Sequence, residues 1–549
     1  MKVLNKIVLF FVIVFFLVSA NCHKKDSGED PMIAGANIAI VQTEYGKVRG
    51  YIHNGTFVYK GIPYAKAERF MPPAKPDAWE GIRSSLFWGP TCPMMASHNM
   101  EPDEGKFLFQ HDWGYPSEDC LRLNIWTPGI NDDKKRPVMV WIHGGGYSYG
   151  SSQELPCYDG ENLSRKGDIV LVSVNHRLNV LGFLDLSAFG EKYKFSSNVS
   201  MLDLVAALEW IRDNIANFGG DPNNVTIFGQ SGGGGKVATL LDVPSAKGLF
   251  HKAIIESGWN PEYQKQEISR RIGRAVVQEL GLQPSQIDSI QKMPYAELAA
   301  ATQRALKKIR EQLTAEGNEP KGYSFGLIPT LDGNFLPYEQ NDPSALSLSK
   351  DVPLIIGTTK NEFITSVWIN PRMRNAPLDS VKSFIQKKYG DKADAYIAAV
   401  KQAFPKDTKP TDLIDVDVMF RGAAVNYANL KSSHSNAPVF MYLFTWQSPI
   451  FDGDYKACHC MELPFVFNNI GLWEEITGGG KEAYVLADKM SQAWINFARY
   501  GDPNHRGLPK WEPYTEENGT TMFFDNECVI HHHHDRELLK ITAKEQSIF

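Results

Sequence analysis

The middle and C-terminal parts of the chain contain short, predominantly apolar segments that are separated by polar or glycine-rich stretches. Five runs of strand length carry this pattern: residues 137–142, 168–174, 225–228, 353–357 and 439–444. Between two of them, residues 201–214 repeat apolar side chains every three or four positions, which is typical of a helix. Strands that are apolar on both faces and alternate with helices indicate a parallel sheet covered on both sides. The sequence therefore predicts an α/β fold with a large, mostly parallel, twisted central sheet.

The N-terminal part has a different pattern. Residues 38–41, 46–50 and 57–59 are short β-rich runs separated by glycine, asparagine and threonine, which favours antiparallel hairpins. Large α/β enzymes often extend one domain over several hundred residues, and no internal repeat divides this chain. We therefore expect a single α/β domain over residues 37–549, preceded by a flexible leader over residues 21–36.

The first twenty residues have the features of an export signal. Lys2 and Lys6 supply a positive start, residues 7–18 are apolar and uncharged, and small residues stand at positions 18–20. This arrangement is typical of a secretory signal peptide, and the apolar run is too short for a comfortable membrane span. We therefore expect residues 1–20 to be removed and the mature protein to be exported, either secreted or periplasmic.

A lipid anchor on Cys22 is an alternative interpretation of the same segment. Residues 17–22 resemble a bacterial lipobox, although Asn21 stands where Gly, Ala or Ser is usual. In that case the signal ends at residue 21, and a lipid on Cys22 attaches the protein to the membrane of the cell envelope. Both interpretations place the chain in an oxidising compartment, where disulfides can form.

The net charge of −6 gives no indication of a nucleic-acid partner.

A Gly-x-Ser-x-Gly motif lies at residues 229–233, between a predicted strand and a predicted helix. In that context the motif carries a nucleophilic serine on a sharp turn. Glycines at both ends let the turn close, and the helix N-terminus beneath Ser231 stabilises developing negative charge. The motif therefore predicts Ser231 as a nucleophile, and the alternative is an ordinary glycine-rich loop.

A second glycine-rich segment, at residues 143–146, follows the predicted strand at residues 137–142. It has the form of the His-Gly-Gly-Gly loops whose backbone N–H groups bind the oxyanion of a tetrahedral intermediate. Glycine suits this task because a side chain would keep a substrate carbonyl away from the backbone. We predict the N–H groups of Gly145, Gly146 and Gly232 as the oxyanion hole, with an ordinary glycine turn as the alternative.

A serine nucleophile needs a base and an acid, and in enzymes with this motif the chain order is serine, acid, histidine. Glu362 lies just beyond the predicted strand at residues 353–357, and His459 lies farther along the chain. Spacing alone leaves alternatives open for both residues. The competing candidates are Asp332, Asp351, His434, His505 and the histidines at 531–534.

Two long motifs then carry a resemblance to a known family. Residues 218–233, around the serine, and residues 118–124 resemble the signatures of the type-B carboxylesterases. This family includes cholinesterases and bile-salt-activated lipase, and its members have the α/β-hydrolase fold. The similarity extends from about residue 43 to residue 539, which is nearly the whole expected domain.

The resemblance also reaches the candidate acid and base. Residues 358–362 resemble the family motif that contains the acid, and residues 459–465 resemble the motif that contains the histidine. The resemblance therefore implies Glu362 and His459 as the partners of Ser231.

Three further features are implied by the resemblance alone. Family members carry a disulfide that closes a short loop, which here corresponds to Cys92 and Cys120. The same comparison implies an ion pair between Arg69 and Glu118. It also implies that Ser257 lies behind the catalytic residues as a hydrogen-bonding group.

The chain departs from its relatives at three places. Gln230 stands before the serine where many relatives have Glu, so the pocket floor lacks a negative charge and should attract cationic substrates less. The tryptophan with which cholinesterases hold choline has no clear match, and Trp113 is the nearest candidate. Both features argue against a cholinesterase. Cys458 and Cys460 flank His459, and we interpret them as small buried side chains, the alternative being a thiol that modulates the histidine.

The resemblance implies a carboxylic ester hydrolase that forms an acyl-enzyme with a Ser-His-Glu triad and needs neither a metal nor an organic cofactor. The expected partner is a small-molecule ester with a short to medium acyl or aryl group, and Trp259 is expected to shape the acyl side. Alternatives are a lipase and an esterase of plant-polymer phenolic esters. A remote alternative is a non-catalytic adhesion protein, against which the complete triad argues. The sequence indicates no oligomeric state.

Overall fold

A computed structural model describes residues 31–95, 103–258, 262–320 and 325–546. The strands of this part, numbered in chain order, are β1 (Ile40–Thr43), β2 (Gly46–Arg49), β3 (Tyr51–His53), β4 (Thr56–Pro63), β5 (Ile82–Ser84), β6 (Arg122–Thr127), β7 (Arg136–Ile142), β8 (Val170–Val174), β9 (Gly220–Gln230), β10 (Lys252–Glu256), β11 (Gln264–Lys265), β12 (Thr330–Leu331), β13 (Leu354–Thr359), β14 (Val439–Phe444), β15 (Thr520–Phe524) and β16 (Val529–His532).

Eleven of these strands form one sheet in the order β16-β15-β14-β13-β10-β9-β7-β8-β6-β4-β3. Neighbouring strands are parallel from β15 to β8. They are antiparallel at both edges, where β16 pairs with β15 and where β6, β4 and β3 extend the sheet beyond β8. The prediction of an α/β-hydrolase fold with a mostly parallel sheet and N-terminal hairpins is confirmed.

Helices connect most of the parallel strands. In chain order they are α1 (Asp103–Leu108), α2 (Glu161–Gly167), α3 (Asn179–Phe183), α4 (Val199–Asn214), α5 (Gly232–Leu241), α6 (Gln266–Glu279), α7 (Tyr295–Ala315), α8 (Pro343–Leu348), α9 (Leu378–Tyr389), α10 (Ala393–Ala403), α11 (Phe420–His434), α12 (Leu463–Val466), α13 (Glu474–Thr477), α14 (Lys481–Tyr500), α15 (Arg536–Ile541) and α16 (Ala543–Gln546). The helix expected over residues 201–214 is α4, which begins two residues earlier.

Alternate residues of the central strands point into two separate apolar layers. On β7, Val138 and Val140 belong to one layer, whereas Met139 and Trp141 belong to the other. Helices α4, α5, α6 and α7 contribute to the first layer, and α2, α12 and α14 contribute to the second. Since β7 is buried along its whole length, both faces need apolar side chains, which explains the uninterrupted apolar runs in the sequence.

The N-terminal region differs from expectation at its first strand. β1 begins at Ile40 rather than at residue 38, because Ala39 has a φ of 49°, which an extended strand does not accommodate. Within the expected leader, Ile33 exchanges two backbone hydrogen bonds, of 2.8 and 2.9 Å, with Ile52 on β3. The end of the leader is therefore paired with the sheet rather than free.

The remaining N-terminal predictions concern residues 1–30. The expected signal peptide and Cys22 lie in this segment, which is outside the described residues. Within the ranges that the structure describes, no helix is both long and apolar enough to cross a membrane.

Two implied features of the N-terminal half have different outcomes. The ion pair is confirmed, since Arg69 Nε donates to Glu118 Oε2 at 2.8 Å. The structure shows no disulfide between Cys92 and Cys120, which are both buried free thiols, so the disulfide stays a prediction. A hydrogen bond with the Cys92 thiol and burial raise the pKa of Cys120 well above its usual value, so the two thiols are neighbours. Closing the bond between them requires an oxidant in addition to the fold.

Candidate active site

The predicted site residues meet at the carboxyl ends of the parallel strands. Ser231 directly follows β9, Glu362 follows β13, and His459 follows β14 after a longer connection. The glycine loop, residues 143–146, follows β7, which pairs with β9 in the sheet. Since neighbouring parallel strands end at the same edge of a sheet, residues from four separate parts of the chain converge there.

Ser231 occupies a strained turn between β9 and α5. Its φ of 56° and ψ of −127° lie in a region that costs a residue other than glycine about 1–3 kcal/mol. Its N–H donates to the Glu256 carbonyl oxygen at 2.8 Å, which ties the turn to β10. A Cβ on Gly229 would lie 2.6 Å from the Ile142 carbonyl oxygen, and a Cβ on Gly233 would overlap the same atom. The two motif glycines therefore allow α5 to approach the end of β7.

The glycine loop places the predicted oxyanion donors beside the serine. Gly145 and Gly146 have φ values of 89° and 56°, which glycine adopts at little cost. A Cβ on Gly232 would lie 2.6 Å from the Gly146 nitrogen, so the start of α5 packs directly against the loop. The first N–H groups of a helix have no partner within the helix. All three glycines line the cavity that contains Ser231, as a hole for an oxyanion requires.

Glu362 and His459 are 97 residues apart in the chain and form a hydrogen bond of 2.5 Å between His459 Nδ1 and Glu362 Oε2. The other carboxylate oxygen accepts from the Thr359 backbone N–H at 2.8 Å, and Glu362 is fully buried. The rings of Phe363 and Phe420 lie 4.8 and 5.6 Å from the imidazole. The carboxylate is thus held against one ring nitrogen. The competing candidates, all within the described ranges, do not line the cavity: Asp332, Asp351, His434, His505 and the histidines at 531–534.

Other buried carboxyl groups lie near this pair. Burial raises the pKa of Asp417 to about 7, with a smaller contribution from the Glu362 charge, and it raises the pKa of Glu256 to about 8. Burial, Glu362 and Glu256 together raise the pKa of Glu462 well above its usual value. Ser257 is buried near the Glu462 carboxyl, but its hydroxyl has no hydrogen-bond partner within the described residues, so its implied role as a hydrogen-bonding group stays a prediction. Of these carboxyl groups, Glu362 is the one that contacts the imidazole.

Gln230 also contacts the imidazole, since its side-chain nitrogen lies within hydrogen-bond distance of both ring nitrogens. Its side-chain nitrogen lies 3.2 Å from His459 Nε2, and Cys460 Sγ donates to its Oε1 at 3.4 Å. His459 therefore hydrogen-bonds Glu362 and Gln230 in this structure, while Ser231 faces the same cavity; catalytic hydrogen bonds often tighten only when substrate binds. Burial raises the pKa of the Cys460 thiol well above its usual value, which is typical of an unreactive thiol.

The site opens into a cavity of about 1040 Å³ whose wall includes nine aromatic residues. The aromatic residues that line it are Phe109, Trp113, Tyr147, Tyr149, Tyr158, Phe325, Phe363, Trp368 and Phe420. Trp113 lines the cavity although its spacing in the sequence gave no match, and it stacks on His111 with 4.3 Å between ring centres. Phe363 could have been found from its position next to Glu362. Tyr147 and Tyr149 directly follow the glycine loop, and the others lie in several different segments without a shared sequence signal. Trp259 lies outside the described residues.

Comparison with known proteins agrees with this geometry. Residues 37–541 match the carboxylesterase family. The para-nitrobenzyl esterase of Bacillus subtilis (strain 168) is 36% identical over 502 residues, which cover 89% of this chain and 96% of that protein. The phenmedipham hydrolase of Pseudarthrobacter oxydans is 34% identical over 503 residues, which cover 89% of this chain and 95% of that protein.

Solved structures extend the similarity to three dimensions. An esterase from anaerobic Clostridium hathewayi, which can hydrolyze aliphatic aromatic polyesters, superposes with a TM-score of 0.82 at 37% identity over 94% of this chain and 100% of its own. The carboxylesterase of Geobacillus stearothermophilus superposes with a TM-score of 0.71 at 33% identity over 93% of this chain and 99% of its own. The chain therefore belongs to the carboxylesterase family and is a serine carboxylic ester hydrolase.

Proposed function

We propose that this protein hydrolyses esters with Ser231 as nucleophile, His459 as general base and Glu362 as the acid that orients the base. The observation that carries the proposal is the 2.5 Å hydrogen bond between His459 Nδ1 and Glu362 Oε2, in the cavity that also contains the strained Ser231. A carboxylate that accepts from Nδ1 fixes the tautomer in which Nε2 can take a proton.

In the first half of the reaction, Ser231 Oγ bonds to the ester carbonyl carbon and its proton passes to His459 Nε2. The carbonyl oxygen takes up the electron pair and accepts hydrogen bonds from the N–H groups of Gly145, Gly146 and Gly232. One such donor stabilises the transition state by about 3–4 kcal/mol. When the intermediate collapses, the bond to the leaving oxygen breaks and His459 protonates that oxygen. An alcohol departs and an acyl group remains on Ser231.

Water completes the cycle by the same route. His459 Nε2 removes a proton from water, and the resulting hydroxide adds to the acyl carbon of the ester on Ser231. The second oxyanion occupies the same hole, and its collapse breaks the bond to Ser231 Oγ, which recovers its proton from His459. Throughout, Glu362 stabilises the imidazolium. The reaction uses one water and yields one acid and one alcohol.

The substrates that this cavity fits best are esters with a short to medium acyl group or an aryl group. The aromatic wall supports aryl esters, because rings pack favourably against other rings. Gln230 on the pocket floor is uncharged, so it does not attract a cationic leaving group as a carboxylate at this position would. A para-nitrobenzyl esterase and an esterase of aliphatic aromatic polyesters among the similar proteins support the same substrate class.

A series of p-nitrophenyl esters from acetate to palmitate, together with p-nitrophenyl benzoate, tests this proposal. We expect the highest kcat/KM on acetate to hexanoate and on the benzoate, and a decline towards palmitate. Incubation with a phosphonate ester, followed by peptide mass spectrometry, should place the label on Ser231. A maximum at palmitate would favour a lipase instead. Absence of hydrolysis and of labelling would contradict the catalytic proposal and favour a binding protein.

We further propose that the protein is exported, with residues 1–20 removed or Cys22 lipidated, and that Cys92 and Cys120 then form a disulfide. The adjacency of the two buried thiols supports the second step. Intact mass spectrometry of protein purified from its native host should give the mass of a chain without the signal, with a lipid if Cys22 is modified. Thiol alkylation before and after reduction should differ at Cys92 and Cys120. Retention of residues 1–20 would contradict export.

A further inference from the structure

Helix α5 carries one charged residue, Lys236, five positions after the nucleophile. Its side chain is completely buried, and its Nζ donates to the His143 carbonyl oxygen at 3.0 Å. Lys236 lies three positions after Gly233, on the helix face that packs against the end of β7. The three glycines of the loop, residues 144–146, line the cavity, whereas Lys236 does not. The ammonium group therefore reaches the loop from behind.

Glu154 is the acidic group that interacts with this lysine. A Cβ on Gly150 would lie 2.8 Å from both Glu154 Oε2 and His143 Nδ1, so the carboxyl group and the imidazole meet beside the loop. Burial lowers the pKa of Lys236 to about 7 and raises the pKa of Glu154 to about 7, and the attraction between the two groups opposes both shifts. Each group thus favours the charged form of the other.

The other titratable groups that face Lys236 are His143, His176, Tyr147 and Cys92. Burial, and after it the Lys236 charge, lowers the pKa of both histidines well below the usual range, so both imidazoles are neutral. Burial raises the pKa of Tyr147, so its phenol is neutral as well. Among the described groups around Lys236, Glu154 has the largest stabilising effect on its charge, ahead of Cys92.

We propose that Lys236 is a positioning residue for the oxyanion: its ammonium group holds the His143 carbonyl and adds positive potential behind the glycine loop. This inference rests on the proposed ester hydrolysis, because the charge matters only if an oxyanion forms at the loop. A neutral donor could satisfy the His143 carbonyl at a smaller desolvation cost than a buried lysine. What lysine adds at this position is the positive charge of its protonated form, and charges aimed at a developing oxyanion act strongly in a buried site.

Two substitutions separate the charge from the hydrogen bond. Lys236→Met removes both, whereas Lys236→Gln keeps an N–H donor without the charge. Lys431→Met is the matched control, because Lys431 is also completely buried and its Nζ donates to the Ser349 carbonyl, away from the cavity. Thermal unfolding of these three variants and of Lys236→Arg shows whether they fold. The kinetic probes are p-nitrophenyl butyrate and a trifluoromethyl ketone, whose adduct with the serine carries an oxyanion.

We expect both Lys236 variants to lose roughly tenfold in kcat with little change in KM, because the lost interaction acts on the transition state. The inhibition constant of the trifluoromethyl ketone should rise by the same factor. Lys236→Arg should restore most of both values, since it keeps the charge. Lys431→Met should be less stable but kinetically similar to wild type.

A wild-type kcat and inhibition constant in Lys236→Gln would overturn the role of the charge. A loss of kcat without a change in the inhibition constant would also overturn it, because the oxyanion would then be unaffected. If Lys236→Met does not fold, Lys236→Gln and Lys236→Arg still decide between these outcomes. Failure of the proposed function is a separate result, since it would appear as absence of hydrolysis by the wild-type protein or as full activity in a Ser231→Ala variant.

Discussion

Replacement of Ser231 with alanine is expected to lower the rate of ester hydrolysis by about 10⁶-fold, the scale of loss for a nucleophile that acts as one unit with its base. Without Oγ no acyl-enzyme can form, and the residual rate reflects only the oxyanion hole and substrate binding. The fold should persist, because the turn is held by the backbone hydrogen bond from Ser231 N–H to the Glu256 carbonyl. Alanine keeps that bond and the Cβ.

The measurement is the steady-state rate on p-nitrophenyl butyrate, with near-UV circular dichroism to check folding. Ser200→Ala is the matched control, because Ser200 is a fully buried serine of α4 that does not line the cavity. Its rate should stay near the wild-type value. A folded Ser231→Ala variant with more than a small fraction of wild-type activity would assign the nucleophile to another group.

The nucleophile could be predicted from the sequence because its geometry is local. A strand, a sharp turn and a helix succeed one another within residues 220–241, and the motif glycines stand where the turn requires them. The glycine loop was predictable for the same reason. Glu362 and His459 are different, since 97 residues separate them. Spacing left several rivals open, and only the longer motifs around each residue selected this pair.

The strands of the central sheet could also be predicted, because burial on both faces leaves a continuous apolar run. The expected strand at residues 439–444 coincides with β14. β1 was placed too early because Ala39 has a positive φ, while its carbonyl oxygen accepts a hydrogen bond from the Gly50 N–H. Local patterns contain no information about such an interruption.

The wall of the cavity could not be predicted from the sequence. The segment after β13, which carries Phe363 and Trp368, and the start of α11, which carries Phe420, come together only in the folded chain. Among these three residues, only Phe363 has a signal in the sequence, namely its position next to Glu362. Trp113 illustrates the same limit, because distance along the chain gave no match although its ring lines the cavity. Substrate range depends on this wall, so it follows from the fold rather than from motifs.

Replacement of Glu362 with glutamine is expected to lower kcat by about 10⁴-fold, as removal of the orienting charge does in other serine hydrolase triads. Glutamine fits the same space, so the Thr359 N–H can still donate to its side-chain oxygen. Its NH₂ group, however, can face His459 Nδ1, which favours the tautomer with the proton on Nε2. That imidazole cannot accept the Ser231 proton, and the neutral amide does not stabilise an imidazolium.

Glu256→Gln provides the matched control for this prediction. Burial raises the pKa of Glu256 to about 8, so glutamine resembles the protonated acid that is already present at neutral pH. In the wild-type protein Trp494 Nε1 donates to the Glu256 carboxyl group at 2.7 Å, and the side-chain oxygen of glutamine can accept the same hydrogen bond. Rates of both variants on p-nitrophenyl butyrate at pH 7 should therefore differ by several orders of magnitude. An equal loss in both would mean that the buried group of carboxyls acts as a unit. A near-wild-type Glu362→Gln would mean that His459 needs no charged partner, and the assignment of Glu362 would be wrong.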